Sequence, residues 1–127
     1  MKLLLDTHAF LFAIGAPKRL SKAARKALEE PANPRWISAA SLWEIAAKIQ
    51  TGKLDLPTDI AFYHSRLADL KANVLAVEPR HSFELFRLPL LHKDPFDRLL
   101  VAQAKVDELI LVTRDQTIPQ YDVPTLW

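Results

Sequence analysis

The sequence contains no cysteine and only two glycines among its 127 residues. Without cysteine the chain can form neither disulfide bonds nor thiolate metal sites, and a reducing cytoplasm is the location we expect for it. Gly15 and Gly52 lie far apart in the chain, which excludes the glycine-rich loop that binds nucleotide phosphates. Any metal or catalytic site must therefore be built mainly from oxygen and nitrogen side chains.

Long hydrophobic runs are also missing. A membrane-spanning helix needs about 20 apolar residues, whereas the apolar run near the N-terminus is interrupted by Asp6 and His8. No small-residue cleavage site typical of a signal peptide follows it cleanly. We therefore expect no membrane association, and we interpret the first residues as a β-strand.

Apolar residues make up 50% of the chain and charged residues 25%, which is typical of a globular domain with a hydrophobic core. The length fits one domain over residues 1–127 and is too short for two ordinary ones. The net charge is +2, from 17 basic and 15 acidic residues. If four of the acidic residues form a metal site, the rest of the surface is basic and suits a polyanionic substrate. An ordinary solvated surface is the simpler explanation of the charge.

Short apolar runs alternate with amphipathic segments along the chain. We predict strands at residues 2–5, 35–37, 74–77, 109–112 and 123–127. We predict helices at residues 9–14, 22–30, 38–50, 59–72, 82–87 and 94–106. Strands that alternate with helices form a mainly parallel sheet covered on both faces, so the expected fold class is α/β.

Four acidic residues occupy related places in this predicted fold. Asp6 and Asp115 each follow an apolar strand, and ligands of open α/β sheets bind outside those carboxyl ends. Glu44 and Asp97 lie in the first turns of helices, which face the same edge of the sheet. We therefore expect all four carboxylates to meet at one edge.

A structural role explains two of these residues individually. Glu44 follows Ser41 by three residues and Asp97 follows Asp94 by three, so each pair fits a helix capping box. Acidic residues in a first turn also complement the helix dipole. Taken alone, either residue fits the structural role better, whereas the combination of four favours a shared site.

Carboxylates gathered in one place repel one another unless protons or cations neutralise them. Sites made only of oxygen ligands favour hard ions, so the expected cofactor is Mg²⁺ or Mn²⁺. The matching chemistry is hydrolysis of a phosphodiester bond.

Further residues adjoin these acids in the sequence. Thr7 and Ser38 offer hydroxyls that could support a carboxylate or a metal-bound water, although either fits a helix cap equally well. Arg98 and Arg114 are candidates for contact with substrate phosphates. Pairing with the neighbouring acids is the more common role of such arginines.

Several segments resemble PIN domains, particularly the VapC-type toxins of bacterial and archaeal toxin–antitoxin pairs. They are spread in order along essentially the whole chain, and the ordered combination is specific although each segment alone is weak. The segments are Leu4-Leu5-Asp6-Thr7-His8, Ser38-Ala39-Ala40-Ser41-Leu42-Trp43-Glu44-Ile45 with Lys48 and Gly52-Lys53-Leu54, His92-Lys93-Asp94-Pro95-Phe96-Asp97-Arg98-Leu99-Leu100 with Gln103-Ala104, and Thr113-Arg114-Asp115.

The resemblance implies a single three-layer α/β/α domain and metal-dependent endoribonuclease activity. It implies a Thr113 hydroxyl that supports the metal site, or else forms a turn at the strand end, and it allows Asp94 to join the site besides capping a helix. It also implies an RNA substrate, a VapB-like antitoxin and a homodimer. The implied acidic site consists of Asp6, Glu44, Asp97 and Asp115.

Three other functions are alternatives to this one. A haloacid-dehalogenase-type phosphatase needs a second aspartate two residues after the first, where this chain has His8. A receiver-like signalling domain needs an adjacent acidic pair after the first strand, which is missing. A PIN fold that serves only as a catalytically silent RNA- or protein-binding module stays open as the alternative.

Overall fold

The computed structural model describes residues 1–127 and is built around a sheet of five parallel strands. Their order across the sheet is β3-β2-β1-β4-β5, and every neighbouring pair is parallel. The strands are β1 (Leu3–Leu5), β2 (Arg35–Ser38), β3 (Ala72–Leu75), β4 (Ile110–Val112) and β5 (Thr125–Leu126).

Six α-helices connect and cover these strands. They are α1 (Thr7–Gly15), α2 (Lys22–Glu29), α3 (Ala39–Gln50), α4 (Ile60–Leu70), α5 (Pro79–Glu84) and α6 (Pro95–Asp107). Short 3₁₀ turns add Pro17–Arg19, Leu85–Arg87 and Ile118–Tyr121. No helix has the length and apolar character that crossing a bilayer requires.

The central strand β1 shows why the chain forms three layers. All three of its residues are buried, as expected of a parallel strand covered on both faces. Leu3 and Leu5 pack into a core cluster with residues from α1 to α4, whereas Leu4 packs into a second cluster with α6. Side chains of a strand alternate between the two faces, so these clusters are the two halves of a three-layer α/β/α domain.

The predicted fold class is confirmed, with some boundaries displaced. The third strand begins at Ala72 rather than at residue 74, because α4 ends at Leu70 and the left-handed Lys71 turns the chain directly into β3. Helix α5 begins at Pro79 rather than at residue 82, since Glu78 and His81 form a capping box there.

Three polar residues cap helices at the carboxyl edge of the sheet, and two of them also follow or end a strand. Asp6 caps α1 directly after β1, Ser38 ends β2 and caps α3, and Asp94 caps α6. Each side chain accepts a hydrogen bond from a backbone N–H of the first turn. The same edge therefore gathers strand ends and helix starts.

Candidate active site

A polar cavity of about 390 Å³ opens at the carboxyl ends of β1 and β4. None of its ten lining residues is hydrophobic. The four acidic residues expected from the sequence all line it, so the structure brings them to one cavity. The lining consists of Asp6, Thr7, His8, Glu44, Lys48, Asp94, Asp97, Arg114, Asp115 and Gln116.

Asp6 lines the cavity and is only 5% exposed. Its backbone N–H donates to Val112 O, which ties it to the end of β4, and its Oδ1 accepts a hydrogen bond of 2.7 Å from the Ala9 N–H. Burial raises the pKa of Asp6, although hydrogen bonds from Thr113 and Ala9 offset part of the rise. The carboxylate thus uses one oxygen for the helix cap and leaves Oδ2 without a backbone donor.

Glu44 is buried on α3 and has two side-chain partners. The Thr7 hydroxyl donates to Oε1 at 2.6 Å, and the Lys48 ammonium donates to Oε2 at 2.6 Å. The capping-box explanation fails for this residue, because Ser38 rather than Ser41 caps α3. Glu44 instead joins the start of α1 to the second turn of α3.

Asp97 lies in the first turn of α6, and its backbone N–H donates to the Asp94 carboxylate. Burial, followed by repulsion from Asp94, raises the pKa of Asp97 to about 6. Asp115 and Asp6 contribute further repulsion, and a weak interaction with His92, whose Nε2 lies 3.5 Å from Oδ2, partly offsets the rise. The Asp97 carboxylate therefore carries negative charge that the chain itself does not fully neutralise.

Asp115 lies in the loop after β4. Its Oδ1 accepts hydrogen bonds from the backbone N–H groups of Thr117 and Ile118, at 2.7 and 3.1 Å. The Asp115 N–H in turn donates to the Thr113 hydroxyl at 3.0 Å. Local turn geometry thus fixes one oxygen of Asp115, as the helix cap does for Asp6.

The four carboxylates share the cavity without forming a ready coordination site. No group of three or more histidine, aspartate or glutamate side chains has an arrangement that could hold a metal ion. Each acid except Asp97 is held by donors from the chain, and mutual repulsion favours separation. In donor chemistry the residues fit Mg²⁺ or Mn²⁺, because carboxylate oxygens line the cavity and the charge on two of them is destabilised by burial.

Known proteins share this arrangement of strands and helices. The PIN domain family model matches residues 3–124. The chain belongs to the PIN domain family. This match confirms the family resemblance found in the sequence.

Two kinds of relative accompany the family match. Ribonuclease VapC22 of Mycobacterium tuberculosis is 29% identical over 128 residues, covering 98% of this chain and 97% of the relative. Solved structures share the fold: VapBC2 of Rickettsia felis bound to a promoter DNA fragment has a TM-score of 0.74 at 18% identity, with 98% and 97% of the two chains covered. FitAcB of Neisseria gonorrhoeae has a TM-score of 0.65 at 18% identity, with 97% and 95% covered.

The supporting residues expected from the sequence divide into two groups in this PIN domain. Thr7, Asp94 and Arg114 line the cavity, and the Arg114 guanidinium also lies 4.9 Å from the centre of the Phe12 ring. Ser38, Thr113 and Arg98 do not line it. Ser38 caps α3, and Thr113 contacts Asp6 and Asp115 from the side of β4.

Arg98 has a different environment from the one expected of a phosphate-binding residue. Its Nη1 donates to Pro89 O at 2.8 Å and to the Tyr121 hydroxyl at 3.1 Å. In this structure Arg98 is thus a partner of Tyr121 and does not line the cavity.

The sequence predicted no role in the site for Lys48, His8 or Gln116, which all line the cavity. The spacing of Lys48, four residues after Glu44, is a signal that could have identified the pair, since i and i+4 side chains are neighbours on a helix. No comparable spacing identifies Gln116.

Proposed function

We propose that this PIN domain is a divalent-cation-dependent endoribonuclease that hydrolyses phosphodiester bonds of RNA. The observation that carries the proposal is the cavity at the carboxyl edge, where four carboxylates from distant parts of the chain meet and the pKa of Asp97 is raised to about 6. Excess negative charge in a polar cavity favours a hard cation. The likeness to Ribonuclease VapC22 supports RNA as the substrate.

The residues have distinct roles in this proposal. Asp6, Glu44, Asp97 and Asp115 would hold Mg²⁺ or Mn²⁺, which when bound would lower the pKa of an attacking water and stabilise charge on the phosphate. The Thr7 hydroxyl orients Glu44 by its 2.6 Å hydrogen bond. Arg114, on the cavity lining, is available to a substrate phosphate.

An RNA cleavage assay tests the proposal. We expect cleavage by the wild type in Mg²⁺ or Mn²⁺, its loss with a chelator, and a loss of at least about 100-fold in Asp6→Asn, because one carboxylate ligand becomes a weaker amide. Asp55→Asn is the matched control, since Asp55 is exposed and lies outside the cavity. Cleavage that survives both the chelator and Asp6→Asn would refute metal dependence.

A catalytically silent binding module is the second candidate. It is favoured by one observation, namely that no three acidic or histidine side chains have an arrangement ready for a metal ion. This candidate would be supported over the nuclease if the protein binds RNA but does not cleave it in any divalent cation, at protein concentrations well above the dissociation constant for RNA.

We also propose that the protein is the toxin of a VapBC-type pair, inhibited by a VapB-like antitoxin, and that it forms a homodimer. The likeness to VapC22 and to solved VapBC assemblies supports the pairing. Co-expression with the product of a short adjacent reading frame tests it through co-purification and loss of RNA cleavage. Light scattering of the purified chain measures the oligomeric state.

A further inference from the structure

Tyr121 and His92 form a partly buried polar contact next to the acidic cavity. Tyr121 is 1% exposed and lies in the 3₁₀ turn between β4 and β5. Its hydroxyl oxygen lies 2.6 Å from His92 Nδ1, 3.2 Å from the His92 backbone nitrogen and 3.1 Å from Arg98 Nη1. Three polar groups of the segment around α6 therefore converge on one phenol.

The donors and acceptors of this contact determine which ring nitrogen of His92 carries the proton. A phenol oxygen has one proton to donate and two lone pairs. The backbone N–H of His92 and the guanidinium of Arg98 can only donate, and together they occupy both lone pairs of the phenol oxygen. The phenol proton must therefore go to Nδ1, which accepts it, so that the neutral ring carries its own proton on Nε2.

The proton on Nε2 has no partner at ordinary hydrogen-bond distance in this arrangement. Nε2 is shielded from solvent, and it lies 3.5 Å from Asp97 Oδ2, just beyond an ordinary hydrogen bond. An unsatisfied buried donor is unfavourable. A small movement of the Asp97 carboxylate would satisfy it.

We propose that His92, held in one tautomer by Tyr121, is a positioning residue for Asp97. Its Nε2–H donates to Oδ2 and orients the carboxylate, leaving Oδ1 available to a cation. The inference rests on the proposed function, because it assigns Asp97 a ligand role. Tyr121 acts through His92, from outside the cavity, and Arg98 acts by occupying a lone pair of Tyr121.

The tautomer can be measured without any metal or substrate. Long-range ¹H–¹⁵N spectra of the metal-free protein, recorded at an alkaline pH where imidazole side chains are neutral, report which nitrogen of His92 is protonated. We expect the Nε2–H form in the wild type and a mixture of tautomers in Tyr121→Phe. A wild-type Nδ1–H form would overturn the inference, whether or not the variant folds.

Activity and metal affinity test the positioning role. We expect His92→Phe to weaken Mn²⁺ binding and Mn²⁺-dependent cleavage about 10-fold or more. His92→Gln, which keeps an N–H donor on its side-chain end, should retain most of both. Tyr121→Phe should resemble His92→Phe, and the double variant should lose little more, since both changes interrupt one contact. His64→Asn is the control, because His64 is exposed on α4.

The outcomes separate the two proposals. If the wild type cleaves RNA, Asp97→Asn does not, and His92→Phe behaves as His64→Asn does, the positioning role is refuted while the nuclease stands. If the wild type fails to cleave RNA in any divalent cation, the proposed function is refuted, and the tautomer measurement alone decides the state of His92.

Discussion

The ammonium group of Lys48 lies 2.6 Å from Glu44 Oε2, one turn further along α3. Lys48 is 42% exposed at its side chain, whereas the Glu44 side chain is only 8% exposed. A cation that belongs to the chain thus already neutralises one of the four cavity carboxylates. Glu44 thus differs from Asp97, which has no such cation and whose negative charge is repelled by three other carboxylates.

Removing the Lys48 ammonium should make the stability of the protein depend more strongly on added metal. We expect Lys48→Met to lower the free energy of unfolding by about 1 kcal/mol, because Glu44 keeps a buried charge without its partner. Mn²⁺ should then raise the melting temperature more in the variant than in the wild type. Thermal melts with and without Mn²⁺ measure both effects, with Lys26→Met on the exposed side of α2 as control. Equal responses from both variants would contradict this role of Lys48.

The Thr7 hydroxyl should contribute to stability through its bond to Glu44. Thr7→Val keeps the shape of the side chain and removes the donor to Oε1, so we expect a loss of about 1–2 kcal/mol in the free energy of unfolding. Thr7→Ser retains the hydroxyl and should lose clearly less. Urea denaturation compares the two variants, and a larger loss in the serine variant would show that methyl packing dominates at this position.

Asp97 should destabilise the metal-free fold at neutral pH. Its pKa is raised to about 6 in the folded protein from an ordinary value of 3.8, so the cost of its charge is present above pH 6 and vanishes as the pH falls below 4. Asp97→Asn should therefore stabilise the metal-free protein by about 1–3 kcal/mol at pH 7.5 and by little at pH 4.

The pH dependence of the gain distinguishes charge from packing. Urea denaturation of the metal-free protein at both pH values measures it, with Asp55→Asn as the exposed control. A gain of equal size at pH 4 and 7.5 would contradict the electrostatic explanation.

Asp107 should have the opposite effect to Asp97 and stabilise the fold at neutral pH. Burial alone would raise the pKa of Asp107, but hydrogen bonds and charges from Arg80 and His81 outweigh burial and lower it. The stabilisation is therefore present above pH 4, near the ordinary carboxyl value, and is lost as the pH falls toward the folded-state pKa. Asp107→Asn should lower the melting temperature by a few degrees at pH 7 and flatten its decline in acid. An unchanged acid decline in thermal melts from pH 7 to 2.5 would contradict this.

Strand and helix periodicity predicted the parts of the site that follow from topology. Asp6 and Asp115 follow adjacent parallel strands, so the shared edge of the sheet brings them together. Asp94 was predicted to start a helix, and its carboxylate accepts hydrogen bonds from two N–H groups of α6. These predictions needed only local signals and the rule that parallel strands end at one edge.

Contacts that depend on loop packing could not be predicted in this way. His92 and Tyr121 are separated by 29 residues, and their hydrogen bond depends on how the segment before α6 packs on the turn after β4. The hydrogen bonds of the acidic side chains could not be predicted either, since a helix cap holds one oxygen of Asp6 and a turn holds one oxygen of Asp115. Periodicity determines where a side chain emerges, whereas its bonding partners follow from tertiary packing.

The cavity has no hydrophobic residue in its lining, which limits the small molecules that would bind there. An inhibitor would gain little from burying carbon surface and would depend on ionic contacts, which weaken as salt rises. An apolar groove of about 460 Å³ between α3 and α4, lined by side chains such as Leu42, Ile49 and Tyr63, offers the opposite character. A charged compound with an apolar extension long enough to reach that groove would combine the two sources of affinity.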